Sequence, residues 1–311
     1  MQIVKSNSQI LSTQYNQVQT RFDKSHEVLW TFINQQNMVP CFNAGLLDDL
    51  FNHHEELTKT DGFINIDNET HKIRYSVLAS KTPGYFNMGG HLIKMAEAIR
   101  NKDRDTLTKY AIKSIDVVAQ RTFRHNLPTL NTISLLQGET LGAGIEAAMT
   151  SDIVIAERQS ILAFPEIHFN MFPAMGAYSF ISRKAGVKVA DKMILSGKSF
   201  TAEECYDMGI IDILAEEGEG EQAVYEYIDK QKRRAEGFLS IQKTKGFINP
   251  ITYQELFNIV NLWVENALSL SERDLKMMDR FIRSQEKLFA SETGGLVAAE
   301  IPMSEVRTVG L

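Results

Sequence analysis

The chain has 311 residues, with 33 Lys and Arg against 39 Asp and Glu and a formal net charge of −6. Without a long basic block, that balance excludes bulk nucleic-acid binding, which needs clustered cations to hold phosphates. Hydrophobic residues at 43% and charged residues at 23% exclude a disordered chain, and no apolar run approaches the roughly 20 residues of a membrane helix.

The polar first thirty residues lack the basic start and apolar core of a secretory signal. The two cysteines, Cys41 and Cys205, are too few for a disulfide framework or a four-cysteine zinc site. A cytoplasmic protein with reduced thiols is expected. Residues 1–59 read as an N-terminal extension over the core. Within them, His53-His54-Glu55-Glu56 lacks the HExxH spacing that sets two imidazoles one helical turn apart, so it reads as a solvated helix or turn.

From Asp61 the pattern changes. Phe63–Ile66 and Lys72–Leu78 are rich in aromatic and β-branched residues and read as strands. Lys81-Thr82-Pro83-Gly84 breaks the second. Gly89-Gly90 opens a helix over 91–100, and an amphipathic helix over 105–123 puts Ile112, Ile115 and Val118 on one face. Leu130–Leu136 is a strand, Gly142-Ala143-Gly144 leads into a short helix through Met149, and 152–156 and 160–164 are strands. Helices follow over 174–184 and 187–195. Thr201 and Glu204 form a capping box for a helix over 202–208, and 210–214 is a last strand.

After an acidic run, 216–221, the period is helical. Leu256, Val260, Trp263 and Ala267 recur at three and four, Ser269–Glu272 has the capping-box pattern, and Leu275, Met278, Phe281 and Ile282 continue an apolar stripe. Short strands separated by helices indicate an α/β class. Residues 60–214 form its core, 215–290 a helical C-terminal lid and oligomerisation region, and 291–311 a mobile tail.

GxSxG, P-loop and GxGxxG motifs are missing, which weighs against nucleotide chemistry. Two Gly-rich turns each open a helix: Phe86–Leu92 (FNMGGHL) and Leu141–Glu146 (LGAGIE). N–H groups at a helix start have no intrahelical partner, and small residues let a ligand approach the backbone closely. Two such ends converging would hold one oxygen between two donors, an oxyanion hole. Glu146 follows Ala143 by three residues, on the same helix face. Glu166 follows a strand through the stiff Phe164-Pro165 pair. Each glutamate alone is as well explained as a first-turn or surface residue. Together, beside an oxyanion hole, they can remove a proton next to a thioester carbonyl and deliver one elsewhere. Leu141, Met175 and Trp263 are the apolar candidates to line such a site, although a stripe at helical spacing is equally ordinary core.

These residues resemble the crotonase (enoyl-CoA hydratase/isomerase) superfamily. Phe86–Leu92 and Gln137–Ala148 (QGETLGAGIEAA) look like its two oxyanion turns, with Glu in the hydratase position of the second. Ser151–Phe164 resembles the strand pair that follows, and Pro165–Ser179 (PEIHFNMFPAMGAYS) the stretch with the second Glu. Leu195–Ala202 and Met208–Asp212 look like its later motifs. The likeness covers about 60–214. It implies a crotonase-like spiral of strand-strand-helix units with a helical C-terminal region. It also implies Gly90 and Ala143 as oxyanion donors and Glu146 and Glu166 as the acid/base pair. Gly89, Gly142, Leu141, Met175 and Trp263 would surround the substrate. No metal or cofactor is implied, and relatives are usually trimers or pairs of trimers.

Within the superfamily, HFNMFPAMGAYSF and the long helical C-terminus resemble the diffusible signal factor synthases. Ordinary hydratases carry Gly-Gly-Thr where Gly176-Ala177-Tyr178 stands and Asp where His91 stands. That branch implies a lyase with thioesterase activity. It would dehydrate a 3-hydroxyacyl thioester of acyl carrier protein and hydrolyse the product to a cis-2-unsaturated fatty acid, a quorum-sensing signal. A cognate signal-sensor protein is a further implied partner. The alternatives are an enoyl-CoA hydratase/isomerase of fatty acid metabolism, or a crotonase-fold interaction protein without turnover. An acidic carrier protein would need a local basic patch, for which Lys230, Lys232, Arg233 and Arg234 are the candidates, although such a run is equally a solvated helix face.

Overall fold

The computed structural model describes residues 9–36 and 38–292, so nearly all of the segment expected to be a mobile tail lies outside the described residues. Helix α1 (Gln9–Ser12) precedes strands β1 (Val18–Asp23) and β2 (Val28–Ile33), helix α2 (Ala44–Lys59) and a hairpin of β3 (Phe63–Ile66) and β4 (Glu69–Lys72). A strand-strand-helix unit then occurs three times. The first is β5 (Tyr75–Ser80), β6 (Tyr85–Asn87), α3 (Leu92–Arg100) and α4 (Arg104–Thr122). The second is β7 (Asn131–Leu136), β8 (Glu139–Leu141) and α5 (Ala143–Met149). The third is β9 (Ile153–Glu157), β10 (Ile161–Ala163), a 3-10 turn (Pro165–Phe169), α6 (Ala177–Ala185) and α7 (Val187–Ser196). Next come β11 (Ser199–Thr201), α8 (Ala202–Asp207) and β12 (Ile213–Ala215). Helices α9 (Gly220–Gln231), α10 (Ala235–Ile248), α11 (Tyr253–Ser269) and α12 (Glu272–Glu292) complete the described chain.

In every unit the first strand enters a six-stranded sheet, ordered β1-β2-β5-β7-β9-β12, and the second enters a four-stranded sheet, ordered β11-β10-β8-β6. From β2 to β12 the larger sheet is parallel, as are β6, β8 and β10 in the smaller one. Parallel neighbours need a crossover, and from β5 onward each crossover passes through the other sheet and a helix, which winds the chain into the expected spiral, while β2 reaches β5 through α2 and the β3–β4 hairpin. The larger sheet is buried on both faces. Trp30, Val77, Ile133 and Ile155 pack on one side with Val224 and Ile228 of α9, while Ile33, Leu78, Leu136 and Val154 join the main core on the other.

The segment read as an N-terminal extension supplies β1, β2 and α2. Val28–Ile33 (VLWTFI) is an apolar run buried at all six positions, and its Trp30 and Phe32 rings stack with centroids 5.4 Å apart. His53 and His54 are helical, as read, but not solvated, being 0% and 3% exposed under α4. The single strand expected over 72–78 is two, because β4 turns back on β3 before β5 starts.

In the C-terminal helices, Leu256, Val260, Trp263 and Ala267 are buried as their spacing predicts, and α11 packs on α4 while α12 packs on α3. The second capping box lies two residues beyond the expected one. Asp274 donates its N–H to Ser271 Oγ, and Ser271 donates its own N–H to Asp274 Oδ2. Helix α11 runs on through Ser269 and buries Leu270 behind it, which moves the break to Ser271. Of the basic run, Lys232 pairs with Asp229 and Lys230 reaches Glu226, so part of that charge is neutralised by α9 itself. Both cysteines are free and buried, and no described helix is long and apolar enough to cross a membrane.

The cap position is testable by urea denaturation. Ser271→Ala should cost about 1 kcal/mol, and Ser269→Ala less than about 0.5 kcal/mol, as for an ordinary exposed site.

Candidate active site

The site forms where strands β6, β8 and β10 end. Because the three are parallel neighbours, with Asn87 level with Thr140 and Thr140 level with Leu162, their C-terminal ends share one edge. After β6 the chain turns through Gly89 at φ +91°, where an added Cβ would lie 3.0 Å from the Leu141 carbonyl oxygen. Only glycine fits that left-handed, crowded position. The turn is held from both sides. Gly89 donates its N–H to Asn87 Oδ1 (2.8 Å) and accepts from the Phe42 N–H (2.8 Å). The His91 N–H donates to the Tyr110 hydroxyl (3.3 Å), which donates to the Phe42 carbonyl (2.8 Å). Gly90, between these fixed neighbours, faces a cavity.

After β8, Gly142 takes φ +47° and donates to the Ala163 carbonyl of β10 at 2.9 Å. Ala143 is the first residue of α5, so its N–H has no intrahelical partner. An added Cβ at Gly142 would lie 2.2 Å from Glu166 Oε1, so this turn cradles the second carboxyl group.

Glu146, in the first turn of α5, is 1% exposed, and its Oε1 accepts the Ala177 N–H at 2.9 Å. That N–H starts α6, so the carboxylate sits at the positive end of a helix. Burial raises the Glu146 carboxyl to about 7, opposed by the N–H groups of Ala177, Met175 and Gly176. Glu166 stands in the 3-10 turn, which Asn170 closes in the left-handed region at φ +61°. Part of the residue reaches the surface, but its Oε2 is buried with no hydrogen-bond partner. Burial, and then the nearby Glu146 charge, raise the Glu166 carboxyl to about 8.

A cavity of about 60 Å³ brings together Gly90, Ala143, Glu146, Glu166, Met175 and Trp263. Gly89 and Gly142 stand behind it as backbone. Leu141 does not join it: its side chain packs with Tyr85, Met88 and Phe289 instead. Sequence reasoning missed Tyr110, Phe172 and Val260, which also line the cavity. The helical stripe containing Trp263 already held Val260, whereas no local signal marks Tyr110. Among the described residues, no group of three or more His, Cys, Asp or Glu side chains is placed to hold a metal ion. Two N–H groups beside two proton-holding carboxyls can polarise a carbonyl and move protons on the carbons next to it.

A family model described as enoyl-CoA hydratase/isomerase matches residues 52–240, more than half of the chain. The chain belongs to the enoyl-CoA hydratase/isomerase family. It is 30% identical to YhaR of Bacillus subtilis (strain 168) over 133 residues, which are 42% of this chain and 50% of that protein. The matches span from about a third to about half of the length of the first curated relatives. Among solved structures, an enoyl-CoA hydratase from Bacillus halodurans superposes with a TM-score of 0.70 at 19% identity, covering 85% of this chain and 100% of that one. The human mitochondrial delta3-delta2-enoyl-CoA isomerase also reaches 0.70, at 16% identity, covering 88% and 99%. These likenesses show the crotonase fold. Since a hydratase and an isomerase score alike, the fold does not choose between their activities.

The raised carboxyls tie stability to pH. Below about pH 4.5 both groups are protonated in the folded and the unfolded chain alike. Above it the unfolded chain loses these protons, while the folded chain holds them until about 7 and about 8, so stability falls as pH rises through that window. Denaturant unfolding from pH 5 to 8 should show this decline. Glu166→Gln, which has no proton to lose, should flatten it and be at least as stable as the parent at pH 8.

Proposed function

We propose that the chain is a lyase of the enoyl-CoA hydratase type, which adds water across, or removes it from, the C2–C3 bond of an acyl-CoA thioester. The observation that carries this reading is the presence of both Glu146 and Glu166 on one cavity with Gly90 and Ala143. Shifting a double bond needs one carboxylate to carry a proton from carbon to carbon. Adding water needs a base for the water and an acid for the carbon.

The surroundings divide those roles. Three backbone N–H groups favour the charge on Glu146, so it is the ionised partner. Glu166 has no donor at Oε2 and feels the Glu146 charge, so it keeps the proton. The thioester carbonyl would accept from the Gly90 and Ala143 N–H groups, which draws electrons from the double bond and leaves C3 electron-poor. Glu146 would take a proton from water as its oxygen bonds to C3. Glu166 would then give its proton to C2 as the enolate collapses. The reverse sequence is dehydration. The two groups titrate as a pair, so the pH–rate profile reports the pair rather than either residue.

The second reading is the signal synthase, with dehydration to a cis-2-enoyl thioester followed by hydrolysis to the free acid. What favours it is position: Phe169, Met171, Phe172 and Met175, in the stretch that resembles those synthases, form one wall of the cavity. In that reading the same two N–H groups would also hold the tetrahedral oxyanion of hydrolysis, and an acyl carrier protein would deliver the substrate.

Mass spectrometry of products separates the readings. Given trans-2-enoyl-CoA, the purified chain should return 3-hydroxyacyl-CoA with the thioester intact, and Glu146→Gln and Glu166→Gln should each lower kcat by about 100- to 10,000-fold without loss of fold. Free cis-2-enoic acid from a 3-hydroxyacyl carrier protein would favour the synthase instead. Unchanged turnover in both variants would overturn the shared mechanism.

A further inference from the structure

Away from the catalytic cavity, a second one of about 270 Å³ lies between α2, the end of α4 and the start of α11. Its back is made by an unusual turn. Arg124, His125 and Asn126 all take left-handed backbone conformations, at φ +51°, +52° and +57°, which are strained in a non-glycine residue. The turn swings His125 inward until it is 1% exposed, edge-on to His54 with centroids 4.6 Å apart. Neither ring nitrogen of His125 has a hydrogen-bond partner, although a buried polar group left unpaired is costly.

The hydrogen-bonding groups around this cavity are unbalanced. Three of its side-chain donors are already engaged: the Tyr253 hydroxyl donates to Asp116 Oδ1 (2.7 Å), Gln120 Nε2 to Glu55 Oε1 (2.6 Å) and the Thr58 hydroxyl to the His54 carbonyl (3.0 Å), while a neutral His125 ring keeps one unpaired N–H. Acceptors are left over. Gln120 Oε1 is buried without a partner, the two carboxylates have further lone pairs, and a neutral imidazole has one bare nitrogen. Glu55 and Asp116 make the lining negative, and no Lys or Arg is among the residues that line it. Arg121, buried nearby, donates to Ser151, Ser76 and the Ile133 carbonyl, with its Nε left without a partner. Phe123 and Tyr253 supply aromatic walls, while the Phe51 ring already carries the Lys113 ammonium 4.1 Å from its centroid. Spare acceptors, net negative charge and aromatic faces together select a cation that brings its own donors.

We propose that this cavity is a second binding site, for a small organic cation bearing a primary ammonium or guanidinium group. It uses none of the residues of the catalytic cavity, so it stands independently of the hydratase reading.

Calorimetric titration of the full chain with putrescine and with agmatine tests it, with inorganic phosphate as the anionic probe. Saturable binding of at least one cation is expected. The double variant Glu55→Gln, Asp116→Asn should weaken it by about 10- to 100-fold while keeping the parent's melting temperature. Sedimentation with and without agmatine separates the two sources of such a group. An unchanged state indicates a free ligand, and dissociation indicates a side chain from a second copy. Absence of saturable cation binding, undiminished binding in the double variant, or binding of phosphate instead would overturn the proposal.

Discussion

Strands β6, β8 and β10 run parallel in the smaller sheet, so their C-terminal ends open on one edge, and the polar side of the candidate site follows from that alignment. Each strand has only three residues. Together they deliver the Gly89-Gly90 turn, the start of α5 and the Glu166 turn to one place. The spacing is tight enough to be enforced sterically. Gly89 leaves no room beside the Leu141 carbonyl, and Gly142 leaves none beside Glu166 Oε1. A side chain at either position would push apart the backbone donors or the carboxyl group that the chemistry needs together. The larger sheet does no chemistry, but its buried parallel strands set the pitch at which the smaller strands return.

The two carboxyls then set the electrostatics. Burying both would be costly if both were charged, and the structure relieves this unequally. Glu146 receives N–H groups from the start of α6, while Glu166 receives none at Oε2. One proton on the pair, held by the partner with fewer hydrogen-bond donors, would give a base and an acid from two identical side chains near neutral pH. The same arrangement lowers stability as pH rises, so the active centre is a place where folding and chemistry make opposite demands.

Most residues of the candidate site were legible in the sequence, because their requirements are local. Gly-Gly before a helix, Gly-Ala-Gly before another, and a glutamate one turn in are short-range statements about backbone and face. Leu141 was misplaced for a reason equally local: adjacent strand residues face opposite ways, and Leu141 packs with Tyr85 and Phe289 while the turn after it opens on the cavity. Tyr110 was not legible, because its hydroxyl bridges Phe42 and His91, residues 68 and 19 positions away. The same holds for His53 and His54. Their segment was expected to be a solvated helix or turn, and it is the packing of α4, its terminal turn and Thr31 of β2 around them that buries them. Strands of three residues, such as β6 and β8, are too short to show a period, so the spiral itself rested on family resemblance. The Val28–Ile33 strand was hidden by the polar residues around it.

The proposed chemistry requires the Gly90 and Ala143 N–H groups to converge on a substrate carbonyl. Isotope-edited infrared spectroscopy of an enoyl-CoA labelled with 13C at its thioester carbonyl, bound to Glu166→Gln to prevent turnover, reads that directly. If the two N–H groups polarise the carbonyl, its stretch moves to lower frequency than in water, because the donors draw the bond toward an enolate-like state. A carbonyl stretch unchanged from the value in water would mean that these N–H groups do not hold the carbonyl.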